Sequence, residues 1–598
     1  MITPAKSGEY SQAHLQSAIR DRSYLWLCGA VSLFAVGFLV YALNWAFTWD
    51  ESYHLVAAQL VNTGKTPYID YCFPQSPLNL YWNAAWMRLL GETWRVPHAF
   101  SALFATAAVL LMADYVFVRF PDRNWRLVGA IAAALMIGLN AMVFIYAPLA
   151  QPYGICMFGL AAAFRFSVRA VERDGPRLAA AAGLLAGVAA ASSLLTLAAL
   201  PVLAIWMLAQ NRAGGKWTKL AAYCAGAVIP FTPVYRLFWL GPRQTWFNLF
   251  QYHLFYRKLY WPETTEHDLE ILTSWVDSGQ ALVTGLLAVF GLIYLMRKTE
   301  WPRSLKNELY LCVWLAAALS AEVGSAHPTF SRYFLLAVPF LAVVAVVGLY
   351  AVSSRLHDDD LVGRTPRSAR DALVPLSELD PAGLQGSDEF KSSMHGRKSP
   401  FAGARGGDKA EPGGSAQTCP EGTRSAPLSP NLVPSRAQRA PREGAVTGPS
   451  FSKGSQRPWV LVSLVAIMFA LGLGRSLYDH HNAQGTWSSY ESRAKLVDQV
   501  TPRGAPLYAD EPIYFLTHRI PPPGFELYYT HKLELPPAQA ALLHILSSAE
   551  VKRQVQSGMF ATAYTCDLED EIANYGLNAL YQHQKEVGDC TVFWDLKK

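Results

Sequence analysis

Long uncharged runs of apolar residues constrain this chain more than any other feature. Runs of 18 or more match the hydrocarbon thickness of a bilayer and exceed what an amphipathic surface helix needs. The 598-residue sequence is 52% apolar and only 16% charged, with its apolar residues in blocks rather than stripes. A polytopic membrane protein follows. The segment Met1 to Ser23 is polar and of mixed charge. It lacks the apolar core and small-residue cleavage site of a signal peptide, so the first block is expected to stay as an anchor.

Charge then sets the topology, because Lys and Arg favour cytoplasmic turns. The first span, Tyr24 to Phe47, follows Arg20 and Arg22, and the second, Pro97 to Val118, ends in Arg119, Arg123 and Arg126. The apolar stretch 178–209 has basic turns on both sides, so it is expected to be a hairpin broken near Ser192-Ser193. Continued to the end, the alternation gives about eleven spans, with the N-terminus inside and the C-terminus outside. The net charge of +6 is spread over these turns and a linker, which argues topology and not nucleic-acid binding.

Five parts result: a cytoplasmic tail (1–23), a multi-span domain (24–353) with an outer loop (48–95), a linker (354–457), a last span (458–475) and an outer domain (476–598). The linker is dense in Gly, Pro, Ser and Arg, a composition that cannot offset ordering entropy, and is expected to be disordered. In the outer domain, 505–510, 559–564 and 590–594 read as strands and 568–581 as a helix, a small α/β unit. The expected fold is therefore an all-α membrane protein with a small extracytoplasmic α/β domain.

The eight cysteines show no CxxC pair and no zinc spacing. Cys28, Cys156, Cys224 and Cys312 lie in apolar spans and read as packing residues. Cys566 and Cys590 share the outer domain, where oxidising conditions permit a disulfide.

The loop 48–95 carries the strongest chemical signal. Asp50 and Glu51 stand at a membrane boundary between Trp49 and Tyr53, and a helix over 50–63 would put Asp50 and His54 on one face. Apolar walls make a carboxylate a better base. The same pattern also suits a helix N-cap, since acids favour the first turn. The local residues leave both readings open.

Trp49-Asp50-Glu51 after the first span, then Gly64-Lys65-Thr66-Pro67-Tyr68-Ile69-Asp70, then a helix from Pro77-Leu78 through Tyr81, resembles the first outer loop of GT-C membrane glycosyltransferases. The branch is that of protein O-mannosyltransferases and lipid A aminoarabinose transferases. The segment Ser331-Arg332-Tyr333 to Pro339 resembles the same family more weakly. The resemblance covers spans one to ten in layout. It implies a hexosyl or pentosyl transferase of the cell membrane, taking a sugar from a polyprenyl-phosphate donor to an extracytoplasmic glycolipid, polysaccharide or protein. A bacterial cytoplasmic membrane is the expected location.

In that reading Asp50 is the general base with Glu51 beside it, and Tyr53, His54, Lys65, Tyr68, Asp70, His327, Arg332 and Tyr333 bind substrate. Arg332 and His327 suit the departing phosphate, because a guanidinium makes paired bonds to phosphate oxygens. Arg332 also fits an interface anchor. Arg257 and Lys258 read better as a solvated basic face.

The turn Tyr146-Ala147-Pro148-Leu149-Ala150-Gln151-Pro152 has no carboxylate, so the second acidic motif used for a metal in some relatives is missing. Asp50, Glu51 and Asp70 alone are a thin ligand set, and no cofactor is expected. A transporter or flippase of lipid-linked sugars is the alternative. It would show charges at mid-membrane and inverted repeats, and neither is evident.

Overall fold

Backbone in a bilayer must satisfy its own N–H and C=O groups, so the apolar blocks become helices. The computed structural model describes residues 22–210, 215–260, 264–298, 300–362, 457–566 and 570–597. Every segment expected to span is helical. Seven helical stretches are long and apolar enough to cross a membrane: Arg22–Asn44, Arg95–Arg119, Tyr153–Glu172, Lys216–Leu240, Gly279–Arg297, Val338–Arg355 and Pro458–Val500. The other four expected spans are shorter or more charged. Trp125–Gly138, Pro176–Ser192 and Leu194–Gln210 are apolar, but lengths of this order reach only about 21 to 26 Å against a core of about 30 Å. Arg303–Gly324 is long enough but carries Arg303, Lys306, Glu308 and Glu322.

The expected break in 178–209 falls at Ser193, whose backbone is extended (φ −151°, ψ 124°). Small residues let the neighbouring helices touch. A Cβ on Gly183 would run into the carbonyl of Tyr223, and one on Gly226 into that of Ala180, so Pro176–Ser192 and Lys216–Val228 meet backbone to backbone. Charges inside the bundle are paired. Asp114 accepts from Arg165 at 2.5 Å and from Tyr24 Oη at 3.2 Å.

The linker expected from residue 354 begins inside a helix, Val338–Val362. Residues 363–456, like residues 1–21, lie outside the described residues.

The C-terminal region folds around a four-stranded sheet of order β1-β2-β4-β3, built from Leu507–Tyr508 (β1), Thr562–Thr565 (β2), Tyr581–Val587 (β3) and Cys590–Leu596 (β4). β1 and β2 are parallel and the other pairs antiparallel. Three strands fall where the sequence put them. The helix expected over 568–581 is cut at Gly576 (φ 66°), and Tyr581 opens β3 instead; residues 567–569 lie outside the described residues. β3 is an edge strand with residues 582–586 exposed, so it has no apolar alternation to reveal it.

This region does not stand apart from the loop. Phe47, Leu55, Leu60, Tyr71 and Leu80 share one apolar core with Trp487, Val497, Ile513 and Tyr514. Cys566 and Cys590 are disulfide-bonded across a separation of 24 residues. Closing a loop of that size is worth about 3 kcal/mol in the chain-entropy account. Cys590→Ser should therefore lower the denaturation midpoint of the purified protein, and reductant should do the same to the wild type while leaving the variant unchanged.

Candidate active site

The loop begins at Thr48, extended at φ −141°, ψ 147°, and makes one 3₁₀ turn, Trp49–Glu51, before the helix Ser52–Asn62. Ser52 Oγ closes the junction by donating to Trp49 O at 2.7 Å. At three residues per turn, consecutive side chains diverge by about 120°. Trp49, Asp50 and Glu51 consequently face three different surroundings.

Trp49 packs edge-on against Tyr528 and Tyr529, at 6.0 and 5.5 Å between ring centres. Asp50 makes no capping bond. Its Oδ2 is paired with Arg332, and its Oδ1 accepts from Tyr529 Oη at 3.4 Å. That removes the cap reading of Asp50. Glu51 is fully buried, and its Oε1 accepts from Trp487 Nε1 at 2.7 Å and meets His98 Nε2 at 2.9 Å. The two acids expected to work side by side thus have separate surroundings: Asp50 faces the cationic cluster, and Glu51 ties the loop to two other elements.

Arg332 comes from the 3₁₀ turn Ser331–Leu336 ahead of the helix Val338–Val362. Burial works against its charge, but the Asp50 carboxylate and the neighbouring Tyr153, Tyr333 and Tyr146 together outweigh this, so the guanidinium stays charged. Its Cζ lies 4.6 Å from the centre of the Phe330 ring. Arg257 lies 5.4 Å from the same ring and donates to Tyr333 Oη at 2.6 Å. Two guanidiniums therefore converge on one aromatic ring beside a carboxylate. Arg257 read as a solvated face in the sequence; the structure gives it a part-buried place in this cluster. It follows directly on a π-helix, Phe247–Tyr256, whose Asn248 accepts from Phe73 N at 2.8 Å and so docks the segment on the loop.

Tyr53 and His54 are on the cluster side of the loop helix. Burial pushes the Tyr53 phenol up, with the Asp50 charge adding to it. Burial also pulls His54 down to about 3, which leaves its imidazole neutral and no partner for phosphate by charge. His54 Nδ1 and Arg332 Nε are buried with no hydrogen-bond partner among the described residues.

The remaining expected residues make contacts away from the Asp50–Arg332 pair. Tyr68 is fully buried at φ 69° and donates to Gln75 O. Asp70 Oδ2 accepts from Thr66 N at 2.6 Å, closing the turn. Lys65 lies 3.9 Å from Glu526 of the C-terminal region. These three shape the loop and dock it. His327 is 62% exposed and bonds Asp268 at 2.5 Å. Glu322 accepts from Ala198 N at 3.0 Å.

The C-terminal region brings buried acids close to the loop. Burial raises Glu511 and Glu526 each to about 7, and the Asp50 charge adds to the rise at Glu511. Among the described residues no group of three His, Cys, Asp or Glu side chains is arranged to hold a metal ion.

No protein-family model matches the chain, and no curated protein matches its sequence. Among solved structures the chain is similar to ArnT from Cupriavidus metallidurans in the apo state. The TM-score is 0.58, with 14% identity over 96% of this chain and 98% of that one. The fold is GT-C. ArnT from the same organism bound to undecaprenyl phosphate is similar at TM-score 0.56, with 14% identity over 95% of this chain and 97% of that one. At that identity the likeness extends to architecture and stops there.

Glu51→Ala should orphan the Trp487 and His98 donors at about 1–3 kcal/mol each, and Glu51→Gln, which keeps an acceptor oxygen, should lose much less. Melting temperatures of the detergent-purified variants measure the difference; equal melting of Glu51→Ala and wild type would remove the structural role.

Proposed function

We propose that this chain is a membrane glycosyltransferase that moves a sugar from a polyprenyl-phosphate donor to an extracytoplasmic acceptor hydroxyl. The observation that carries the reading is the Asp50–Arg332 pair, set beside Arg257 at the start of the outer loop. The GT-C fold supports it, as does a solved structure of similar architecture bound to undecaprenyl phosphate.

A sugar on a lipid phosphate already has a good leaving group. The protein must supply a base for the acceptor and cations for the departing phosphate. Asp50 is the base. Arg332 and Arg257 take the phosphate, which offers a guanidinium more charge and paired acceptor oxygens than a carboxylate held at one oxygen. Donor binding draws Arg332 off Asp50 and frees the carboxylate beside the substrate. The acceptor oxygen then bonds to the anomeric carbon from the face opposite the phosphate. Its proton goes to Asp50, the carbon–oxygen bond to phosphate breaks, and the polyprenyl phosphate leaves with the electron pair. The configuration inverts. Tyr53, His54 and Tyr333 line the space for the sugar, and Glu51, Lys65, Tyr68 and Asp70 hold the loop in shape.

Asp50→Asn should lower transfer by at least about 10²-fold, the usual loss for a missing general base, with the protein still folded and inserted. Cells carrying this variant should accumulate a polyprenyl-phosphate sugar and lack one surface decoration, which identifies donor and acceptor together. Unchanged transfer would refute the role. Arg332→Gln should instead weaken binding of undecaprenyl phosphate. Because the cations here are arginines, transfer should persist in excess EDTA; a loss restored by magnesium or manganese would overturn the metal-free mechanism.

A further inference from the structure

One contact to Asp50 comes from nearly five hundred residues along the chain, a span no sequence pattern announces. Tyr529 Oη lies 3.4 Å from Asp50 Oδ1, and its ring stands edge-on to Trp49 at 5.5 Å. The 3₁₀ turn that carries it, Tyr528–Lys532, is pinned at its start, where Tyr528 N donates to Glu511 Oε1 at 2.8 Å. Glu511 is 2% exposed and opens the helix Glu511–Thr517, which packs on the loop helix Ser52–Asn62. Gln59 Nε2 joins those two helices by donating to Phe515 O at 3.0 Å. The hydroxyl of Tyr529 is thereby held against the same loop that carries Asp50.

We infer that Tyr529 is a positioning residue for the base, an inference that rests on reading Asp50 as that base. A carboxylate torsion is broad and roughly two-fold. Once a donor phosphate draws Arg332 away from Oδ2, the Asp50 carboxylate has lost its close partner and is free to turn. The Tyr529 hydroxyl, donating to Oδ1, fixes the plane and leaves Oδ2 facing the space that Arg332 vacates. The acceptor hydroxyl gives its proton to Oδ2; the Tyr529 proton stays on Tyr529. Burial, with the Asp50 charge adding to it, pushes that phenol up, so it remains a donor and does not compete as a base. The charges and titratable groups around Asp50 are Arg332, His54, Tyr53, Tyr146, Tyr153, Tyr252 and Glu511.

The test is Tyr529→Phe in the full-length protein, which keeps the ring against Trp49 and removes only the hydroxyl. Transfer is read as consumption of the polyprenyl-phosphate sugar that accumulates in Asp50→Asn cells, and undecaprenyl phosphate binding is measured alongside. kcat should fall about tenfold, the scale of one hydrogen bond to a charged group, with donor KM and undecaprenyl phosphate binding unchanged. The acidic limb of the pH–rate profile should move to higher pH, because the ionised carboxylate has lost a donor. An unchanged kcat and pH profile, with Asp50→Asn inactive, would overturn the Tyr529 role and leave the base in place. Full activity of Asp50→Asn would overturn both. A Tyr529→Phe protein with a lowered melting temperature and weakened undecaprenyl phosphate binding would make the residue structural and overturn the inference.

Discussion

Four parts of the chain meet at the carboxylate of Glu51. His98 reaches from the helix Arg95–Arg119 to Glu51 Oε1 and, with its other nitrogen, to Ala42 O at 2.7 Å, near the end of the helix Arg22–Asn44. A carbonyl only accepts, so His98 Nδ1 carries a hydrogen and the ring is fixed in place. Trp487 reaches the same oxygen from the C-terminal region and stacks on Trp94 at 5.7 Å. A buried carboxylate oxygen held between Trp487 and His98 is costly to disturb, since either partner left alone would have no water to turn to. Two membrane helices, the outer loop and the C-terminal region are therefore locked in one arrangement, and that arrangement places Asp50.

From this frame follows the tension at the neighbouring residue. Asp50 and Arg332 are only partly exposed, with side-chain exposures of 26% and 18%. The guanidinium keeps its charge between a carboxylate and the face of Phe330, with one nitrogen lacking a hydrogen-bond partner among the described residues. An arrangement like this satisfies itself while holding donors ready for a stronger anion. A phosphate would compete for Arg332 directly, and the carboxylate would be exposed by that exchange. Under the proposed function, binding of the donor and readiness of the base are coupled through this one ion pair.

Much of the frame was legible because bilayer helices follow from local composition. The apolar blocks all became helices, and the break at Ser192-Ser193 fell where flanking Arg and Lys required it; the pairing of Cys566 with Cys590, which the sequence permitted but left open, is formed. What escaped had no local signature. β3 is polar on both faces because it is an edge. Arg257 looked solvated because its partners, Phe330 and Tyr333, lie more than seventy residues away. Seven of the eleven expected spans are long and apolar enough to cross a membrane and the other four are shorter or more charged, since charge alternation counts short helices and long ones alike.

The sequence alone determined that the chain is membrane-embedded, and it marked the loop after the first apolar helix, with Asp50 and Arg332, as the candidate seat of its chemistry. Those conclusions need only composition, charge and short motifs. Tertiary structure decided which of two adjacent acids is available and which is structural. One 3₁₀ turn sends Asp50 toward Arg332 and Glu51 toward His98 and Trp487. Neighbours in sequence share a composition, but the direction of each side chain depends on partners 47 to 479 positions away, and only the folded chain brings those together.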